Sequence, residues 1–224
     1  MSPFGLELPR RLLSALLAGA CLAVLLAPAS QAQQRSQTAA LSPDVVAFIT
    51  RVERFLNEIK TLRARFLQVS SNGAYAEGEV VVERPGHMRF DYDPPTPVLI
   101  IANGLSLLYY DRQLKEATFL PLWETPLWFL IREKVRLDEN INIENIEEAL
   151  GTLRITLSDP DAPDSGQVTL VFASEPLSLK KWEVIDPQGV QTQVSLINPV
   201  YGEAVDPQLF NYQDLEVFNK NPDR

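Results

Sequence analysis

Short segments with alternating apolar and polar side chains, separated by turn residues, make up most of this 224-residue chain. Met88, Phe90 and Tyr92 alternate with charged or polar neighbours, so they share one face of a predicted strand. Asn103-Gly104 lies between two apolar runs, a pattern typical of a β-hairpin. About ten such segments occur, and they predict an antiparallel sheet bent into a barrel or half-barrel. The predicted strands are 62–66, 79–83, 88–92, 98–101, 105–110, 115–120, 153–157, 167–173, 179–185 and 191–197.

A few predicted helices interrupt this strand pattern. Ser42-Pro43-Asp44 combines an N-cap residue, a proline at the first helical position and an acidic first turn. Apolar residues at helical spacing follow, which predicts a helix over roughly 43–60. Thr125-Pro126 begins a short, very apolar helix that ends near Lys134, and 142–150 is predicted as another short helix. Two or three helices are too few to coat both faces of a sheet, so we expect them to cover its concave side.

Residues 1–32 have the layout of a secretory signal peptide. Arg10-Arg11 precedes an apolar run, and small residues at its end allow cleavage after Ala32 or Ala29. The run is about fifteen residues long, shorter than the roughly 20 needed to span a bilayer as a helix. Two alternatives stay open at this point, an uncleaved N-terminal anchor and a lipid attached to Cys21.

The remainder is predicted to be a periplasmic protein with a flexible lead-in at 33–41, a single domain at 42–218 and a polar tail at 219–224. The whole chain has a net charge of −9, and removal of two arginines and one glutamate with the signal makes it −10. Such a charge repels phosphate backbones and anionic headgroups, which argues against nucleic-acid binding and against a basic membrane-binding face.

Few residues in this sequence are suited to catalysis or metal binding. The only histidine is His87, predicted to lie exposed on the strand face opposite Met88, and the only cysteine is Cys21. A metal site of nitrogen ligands needs at least two or three of them, and no nucleophile turn or glycine-rich phosphate loop is present. We therefore predict no catalytic residue, no metal and no cofactor. A periplasmic hydrolase that uses acidic residues remains an alternative, because paired carboxylates cannot be excluded by sequence.

The segment from Trp123 to Ile131 concentrates large apolar side chains between two predicted strands. One helix face cannot bury all of them against a sheet. The helix is therefore either packed on both sides within the core or forms the roof of a cavity that holds an apolar ligand.

Several motifs together are similar to those of a known family. A Phe66-Leu67-Gln68 strand is followed by Gly78, a valine-rich strand and an Arg84-Pro85 turn, and a hairpin with Asn103-Gly104 comes next. Thr125-Pro126 precedes the apolar helix, and Asp206 to Tyr212 forms a phenylalanine-containing end. This ordered set, over roughly residues 42–218, resembles the outer-membrane lipoprotein carrier family, LolA. The sequence departs from the family at Asn103, where aspartate is usual, and at Met88 and Phe90, where larger aromatic residues are common.

The resemblance implies a curved antiparallel half-barrel, an unclosed β-barrel, covered by a few short helices that enclose an apolar cavity. It implies a monomeric carrier, without catalytic activity, that takes lipoproteins from an inner-membrane ABC transporter of the LolCDE type. The carrier delivers them to an outer-membrane receptor of the LolB type or to the outer membrane itself. Two other functions share this fold, a LolB-like receptor and an RseB-like periplasmic lipid or lipoprotein sensor, and both remain alternatives.

The resemblance also implies roles for individual residues. Arg84 corresponds to an arginine that holds the lid helix closed through hydrogen bonds to its backbone carbonyls, although an ordinary surface arginine in a turn is the alternative. The residues expected to line the acyl-chain cavity are Met88, Phe90, Tyr92, Leu107, Trp128 and Leu130. This interpretation requires apolar space inside the protein, and an interior filled by side chains would argue against it.

Overall fold

The computed structural model describes residues 43–122, 128–137, 141–161 and 166–218. The predicted signal peptide, lead-in, Ser42 cap, Thr125-Pro126 cap and polar tail lie outside these ranges. The limits of the predicted domain stay a prediction as well. Within the described ranges, no helix combines the length and apolarity needed to cross a bilayer.

The first element is an amphipathic helix, α1, which spans Pro43–Glu58. It begins and ends within two residues of its predicted limits. Ile49, Val52 and Leu56 recur every three or four residues and are all buried, whereas Arg51 and Arg54 between them are exposed. Val52 is completely inaccessible to solvent, so this stripe is the surface by which α1 packs against the rest of the protein.

Eleven strands in the described part of the chain form one antiparallel sheet that does not close on itself. Its order is β6-β5-β4-β3-β2-β1-β11-β10-β9-β8-β7. This confirms the predicted mainly β, unclosed half-barrel. The bounds are β1 Thr61–Ser70, β2 Tyr75–Glu83, β3 His87–Tyr92, β4 Val98–Asn103, β5 Ser106–Asp111, β6 Glu116–Pro121, β7 Asn142–Ala149, β8 Thr152–Ser158, β9 Gln167–Ser174, β10 Leu177–Ile185 and β11 Gln191–Tyr201.

The helix predicted over 142–150 is wrong, because this segment forms strand β7. Ile143 and Ile146 are three residues apart, a spacing that also occurs on one face of a helix. In the structure the pairing with β8 shifts register between Ile143 and Asn145, so β7 contains a bulge. The extra residue lets both isoleucines pack on the same side of the sheet, against the main core. The bulge therefore gives this strand a three-residue spacing of apolar side chains that resembles the period of a helix.

The sheet has an apolar core on each face. We call the face that packs against α1 the inner face and the opposite one the outer face. The outer core is small, and the chain after β11 completes it with a short 3-10 helix, Pro207–Phe210. Phe210 is 4% exposed there and contacts the ring of His87, with centroids 5.2 Å apart. His87 is thus half-buried, not exposed as predicted, although it does lie opposite Met88.

A row of aromatic residues crosses the inner face of strands β1 to β3. Phe66 pairs with Gly78, and Gly78 pairs with Tyr92. The Phe66 ring makes edge-to-face contacts with Phe90 and Tyr92, at centroid distances of 5.1 and 5.0 Å. The ring occupies the space that a side chain at Gly78 would need, because a Cβ there would lie 2.6 Å from the ring and 2.2 Å from the carbonyl oxygen of Asp91.

Gly78→Ala should therefore destabilise the fold. Its methyl group has to displace both an aromatic ring and a strand backbone, and we expect a loss of about 3 kcal/mol in the free energy of unfolding, measured in urea. Gly73→Ala is the control, because its Cβ meets no atom within 4 Å and it tests only the strain of a positive φ, about 1 kcal/mol. Equal losses in the two variants would contradict the steric explanation.

Candidate functional site

A small apolar cavity lies at one end of the inner face. It is bounded by the last turn of α1, by strands β1, β2, β3 and β10, and by a four-residue helix, α2, which spans Trp128–Ile131. Its volume is about 50 Å³. Among the described residues that line it, only Arg84 is charged. The lining residues are Leu56, Ile59, Leu62, Val80, Val82, Arg84, Met88, Phe90, Leu130, Ile131, Leu179 and Trp182.

The structure brings four of the seven predicted site residues to this cavity. Met88, Phe90, Leu130 and Arg84 all border it. The other three, Tyr92, Leu107 and Trp128, pack against the same core without bordering the cavity. Leu107 is two strands away from Met88, with Ala102 between them in the same row. Contact of these residues with a ligand stays a prediction.

Sequence reasoning missed the contribution of α1 and β10 to the cavity. Leu56 belonged to a recognised helical stripe, but the period alone does not say where along the sheet a helix packs. Leu179 and Trp182 are three residues apart, a spacing that disagrees with strand alternation. A register shift between Leu179 and Lys181 explains it, because this bulge brings both large side chains to the inner face. The Trp182 ring then contacts Phe90, with centroids 6.2 Å apart.

The cavity is much smaller than a hydrocarbon chain. A cavity of about 150 Å³ is needed to hold a molecule of the size of benzene. The sequence-based interpretation required space for a lipid tail, and this conformation does not provide it. A tail can enter only if α2 or the side chains beneath it move. We refer to this arrangement, which has too little space for a tail, as the closed state of the site.

Arg84 has an unusual environment for an arginine. Its Nη1 atom is buried and has no hydrogen-bond partner in the part of the chain that the structure describes. Burial lowers the pKa of the guanidinium to about 10, which still leaves it charged at neutral pH. The expected hydrogen bonds from Arg84 to carbonyls of the lid helix are not found among the described residues, so its role as a latch stays a prediction.

A backbone hydrogen bond, not the Arg84 side chain, joins the arginine-proline turn to α2. The N–H of Gly86 donates to the carbonyl oxygen of Ile131 at 2.7 Å. Gly86 has a φ of +79°, and a Cβ there would lie 2.7 Å from the Cα of Gly104, so the close approach requires glycine.

Two side chains of α1 hold the segment that follows α2. Asn57 donates through Nδ2 to the carbonyl of Val135 at 2.9 Å and accepts from its N–H at 2.8 Å. Glu53 accepts a hydrogen bond from the N–H of Leu137 at 2.6 Å. Val135 and Leu137 are themselves completely buried. Together with Gly86, these groups fasten the cover of the cavity by a few polar bonds.

Tyr92 lies in the aromatic row of the inner face, on the side of Phe66 that does not border the cavity. Its hydroxyl donates to Oε1 of Gln68 at 2.7 Å. Burial, together with the neighbouring Tyr109, raises the pKa of Tyr92 to about 12, so the phenol is neutral at physiological pH. This pair forms a neutral, polar boundary to the apolar inner face.

Comparison with known families identifies this arrangement. Residues 57–213 match the family described as "Outer membrane lipoprotein carrier protein LolA". The chain belongs to this family. The match includes the strands that line the cavity, the arginine-proline turn and α2, and it ends after the 3-10 helix on the outer face.

Curated relatives in the LolA family are similar along most of their length. The outer-membrane lipoprotein carrier protein of Azotobacter vinelandii is 28% identical over 174 residues, which cover 74% of this chain and 83% of the relative. The protein of the same name from Methylococcus capsulatus is 27% identical, with coverage of 73% and 82%. Among solved structures, a DUF1329 family protein from Desulfovibrio piger has a TM-score of 0.51 at 9% identity, covering 77% of this chain and 98% of that one. This last likeness concerns the fold alone.

Asn57→Ala tests the hydrogen bonds between α1 and the segment after α2 in this LolA-family protein. The change leaves the N–H and carbonyl of Val135 buried without partners, so we expect a loss of about 2–3 kcal/mol in the free energy of unfolding. Amide hydrogen exchange should also accelerate at Val135 and Leu137. Asn145→Ala, at an exposed position of β7, is the matched control. Unchanged exchange at Val135 would show that Asn57 does not hold this segment.

Proposed function

We propose that this protein is a binding protein without enzymatic activity that carries lipoproteins through the periplasm, from the inner to the outer membrane. It holds their acyl chains against the inner face of the sheet, beneath α2. The observation that carries the proposal is the LolA-family match over residues 57–213, which includes an apolar cavity under a short helix. On this proposal the protein receives cargo from a LolCDE-type transporter and passes it to a LolB-type receptor or to the outer membrane.

The physical need for such a carrier follows from the cost of exposing acyl chains to water. Each buried CH₂ group contributes about 0.8 kcal/mol, so a chain of ~16 carbons costs on the order of 12 kcal/mol to expose. Transfer from a bilayer to an apolar cavity is nearly neutral by comparison. The carrier therefore needs only a modest affinity, which permits both loading and release.

The polar bonds at the cover are consistent with such a balance. A neutral hydrogen bond contributes about 1 kcal/mol net, and one to a charged group about 1.5–3 kcal/mol. The Gly86 bond to Ile131 holds α2 directly, and the bonds of Asn57 and Glu53 hold the segment after it, so few polar bonds oppose displacement of α2 by a ligand. We propose that loading moves α2, while α1, the sheet and the buried residues Val135 and Leu137 keep their places.

Binding of acylated cargo tests this function. Purified from the periplasm, the protein should carry lipoproteins that mass spectrometry identifies, and it should bind an acylated lipoprotein but not the same protein without its lipid. Leu130→Gln puts a polar group in the cavity lining and should weaken binding about tenfold, since burying an unpaired amide costs roughly 1–3 kcal/mol. The matched control is Leu114→Gln, at a position 64% exposed to solvent. Equal binding of lipidated and unlipidated cargo would exclude the proposed function.

We further propose that Arg84 controls the lid, because its Nη1 atom is buried without a described partner at the edge of the cavity that Leu130 and Ile131 also line. Arg84→Leu removes an unpaired charge from the closed state. The free energy of unfolding of the empty protein should rise by about 1–3 kcal/mol, and release of bound lipoprotein to acceptor vesicles should become faster, because release returns the protein to this more stable closed state.

The control for this variant is Arg63→Leu, since Arg63 is half-exposed on the outer face beside Glu79 and contributes little as a surface ion pair. Release at the wild-type rate in Arg84→Leu would remove Arg84 from the lid mechanism. A fall in stability would instead favour the latch that the family resemblance implies, with bonds from Arg84 to the lid.

A further inference from the structure

Arg84 differs from most other arginines of the described chain in what surrounds it. Several of the others have a carboxylate oxygen within 4.0 Å, and these include Arg51, Arg63, Arg65, Arg89, Arg112 and Arg154. No described carboxylate or carbonyl bonds the buried Nη1 of Arg84, which borders the apolar cavity. A cation is thus placed at the edge of a site that otherwise suits hydrocarbon.

A water molecule is a poor partner for this cation inside the cavity. An ordered buried water usually makes two to four hydrogen bonds to polar groups. The remaining described residues of the lining are apolar, apart from the indole N–H of Trp182, which is another donor. Among the described lining residues, the site therefore lacks an acceptor for this donor and lacks a negative charge.

An acidic lipid combines an anionic headgroup, which would pair with the guanidinium, and an apolar tail, which would fit the rest of the site. A carboxylate or phosphate accepts short, charge-assisted hydrogen bonds from a guanidinium, which offers two parallel donors. A hydrocarbon tail attached to it would continue along Met88 and Phe90, both nearly inaccessible to solvent in the closed state. The pKa of Arg84, lowered to about 10, leaves the guanidinium fully protonated for this pairing at neutral pH.

We propose that the cavity has a second class of ligand, acyl lipids with an anionic headgroup, and that Arg84 binds this headgroup while the tail occupies the apolar site. This goes beyond the proposed function, because acyl groups joined to a lipoprotein by ester or amide bonds carry no charge. It rests on that function in one respect, since a cavity of about 50 Å³ accepts a tail only when α2 moves.

The test compares ligands that differ only in charge. Dodecanoate and dodecanol displace a fluorescent apolar probe from the full-length mature protein at about pH 8, where the carboxylate is ionised. We expect the wild type to bind dodecanoate about tenfold more tightly than dodecanol, the effect of one charge-assisted hydrogen bond. Arg84→Met should abolish this preference, so that the ratio of the two affinities falls to about one whatever the change in either affinity. Arg84→Lys should keep part of it, because it keeps the charge but not the paired donors.

A second assay tests which headgroup is preferred, and a control variant tests whether the effect is specific to Arg84. Extraction of phosphatidylglycerol, compared with phosphatidylcholine of the same acyl chains, from vesicles shows whether a phosphate headgroup is preferred as well as a carboxylate. Arg63→Met, on the outer face, should behave as the wild type in both assays. A preference for either anionic lipid that disappears in Arg84→Met supports the proposal.

Equal affinity of the wild type for acid and alcohol, together with equal extraction of the two phospholipids, would overturn the inference. So would a preference for the anionic lipid that persists in Arg84→Met. Failure of the proposed function has a different signature, because the wild type would then bind none of these ligands, the uncharged alcohol included. Folding of each variant is checked by its urea transition, which Arg84→Met should leave intact because it removes an unpaired charge.

Discussion

The inner face of the sheet is apolar across much of its width, whereas α1 is a single helix of sixteen residues. Eleven strands about 4.8 Å apart make a surface of roughly 50 Å, and a helix of this length covers about 24 Å of it. A flat sheet would leave much of that face in water. Curvature of the sheet around α1 reduces the uncovered part. The stripe formed by Ile49, Val52 and Leu56 is therefore the contact on which the fold depends.

The area that α1 leaves uncovered explains where the site lies. Beyond the last turn of α1, the inner face is covered by α2 and the segment up to Leu137. This cover is short, and it is fixed by a few polar bonds and by the buried side chains of Ile131, Val135 and Leu137. Displacing α2 alone removes Ile131 from the main core, whereas displacing α1 would remove the whole stripe of Ile49, Val52 and Leu56. The difference makes the cavity end the part of the inner face that a ligand can open.

Much of the fold was predictable from the sequence because alternation has a direct physical cause. Met88, Phe90 and Tyr92 face one way because successive side chains of a strand point to opposite faces. The exceptions were bulges. A bulge places Ile143 and Ile146, or Leu179 and Trp182, on one face at a spacing of three, and sequence alone does not distinguish this from a helical turn. The predicted helix over 142–150 failed for this reason.

The site was predictable only in part, since it depends on contacts between distant segments. Four residues were anticipated because they belong to β3, to α2 or to the arginine-proline turn of the family resemblance. Leu56 and Trp182 reach the cavity only through the packing of α1 and the pairing of β10, which no local pattern specifies. The unpaired state of Arg84 is a property of its surroundings, so it could not be read from the residue type or from the turn motif.

The outer core constrains which part of the molecule can move on loading. Val80 and Val82 face the cavity, while Val81 between them is buried in the outer core with Phe210. Strand β2 is thus packed on both faces at the cavity, and bending it would disturb the inner and the outer core at once. Because close-packed interiors resist deformation, space for a tail is gained more readily by moving α2 than by spreading the sheet. Arg84 lies at this boundary between the packed sheet and its cover, where displacement of α2 would return the guanidinium to water or to an anionic partner.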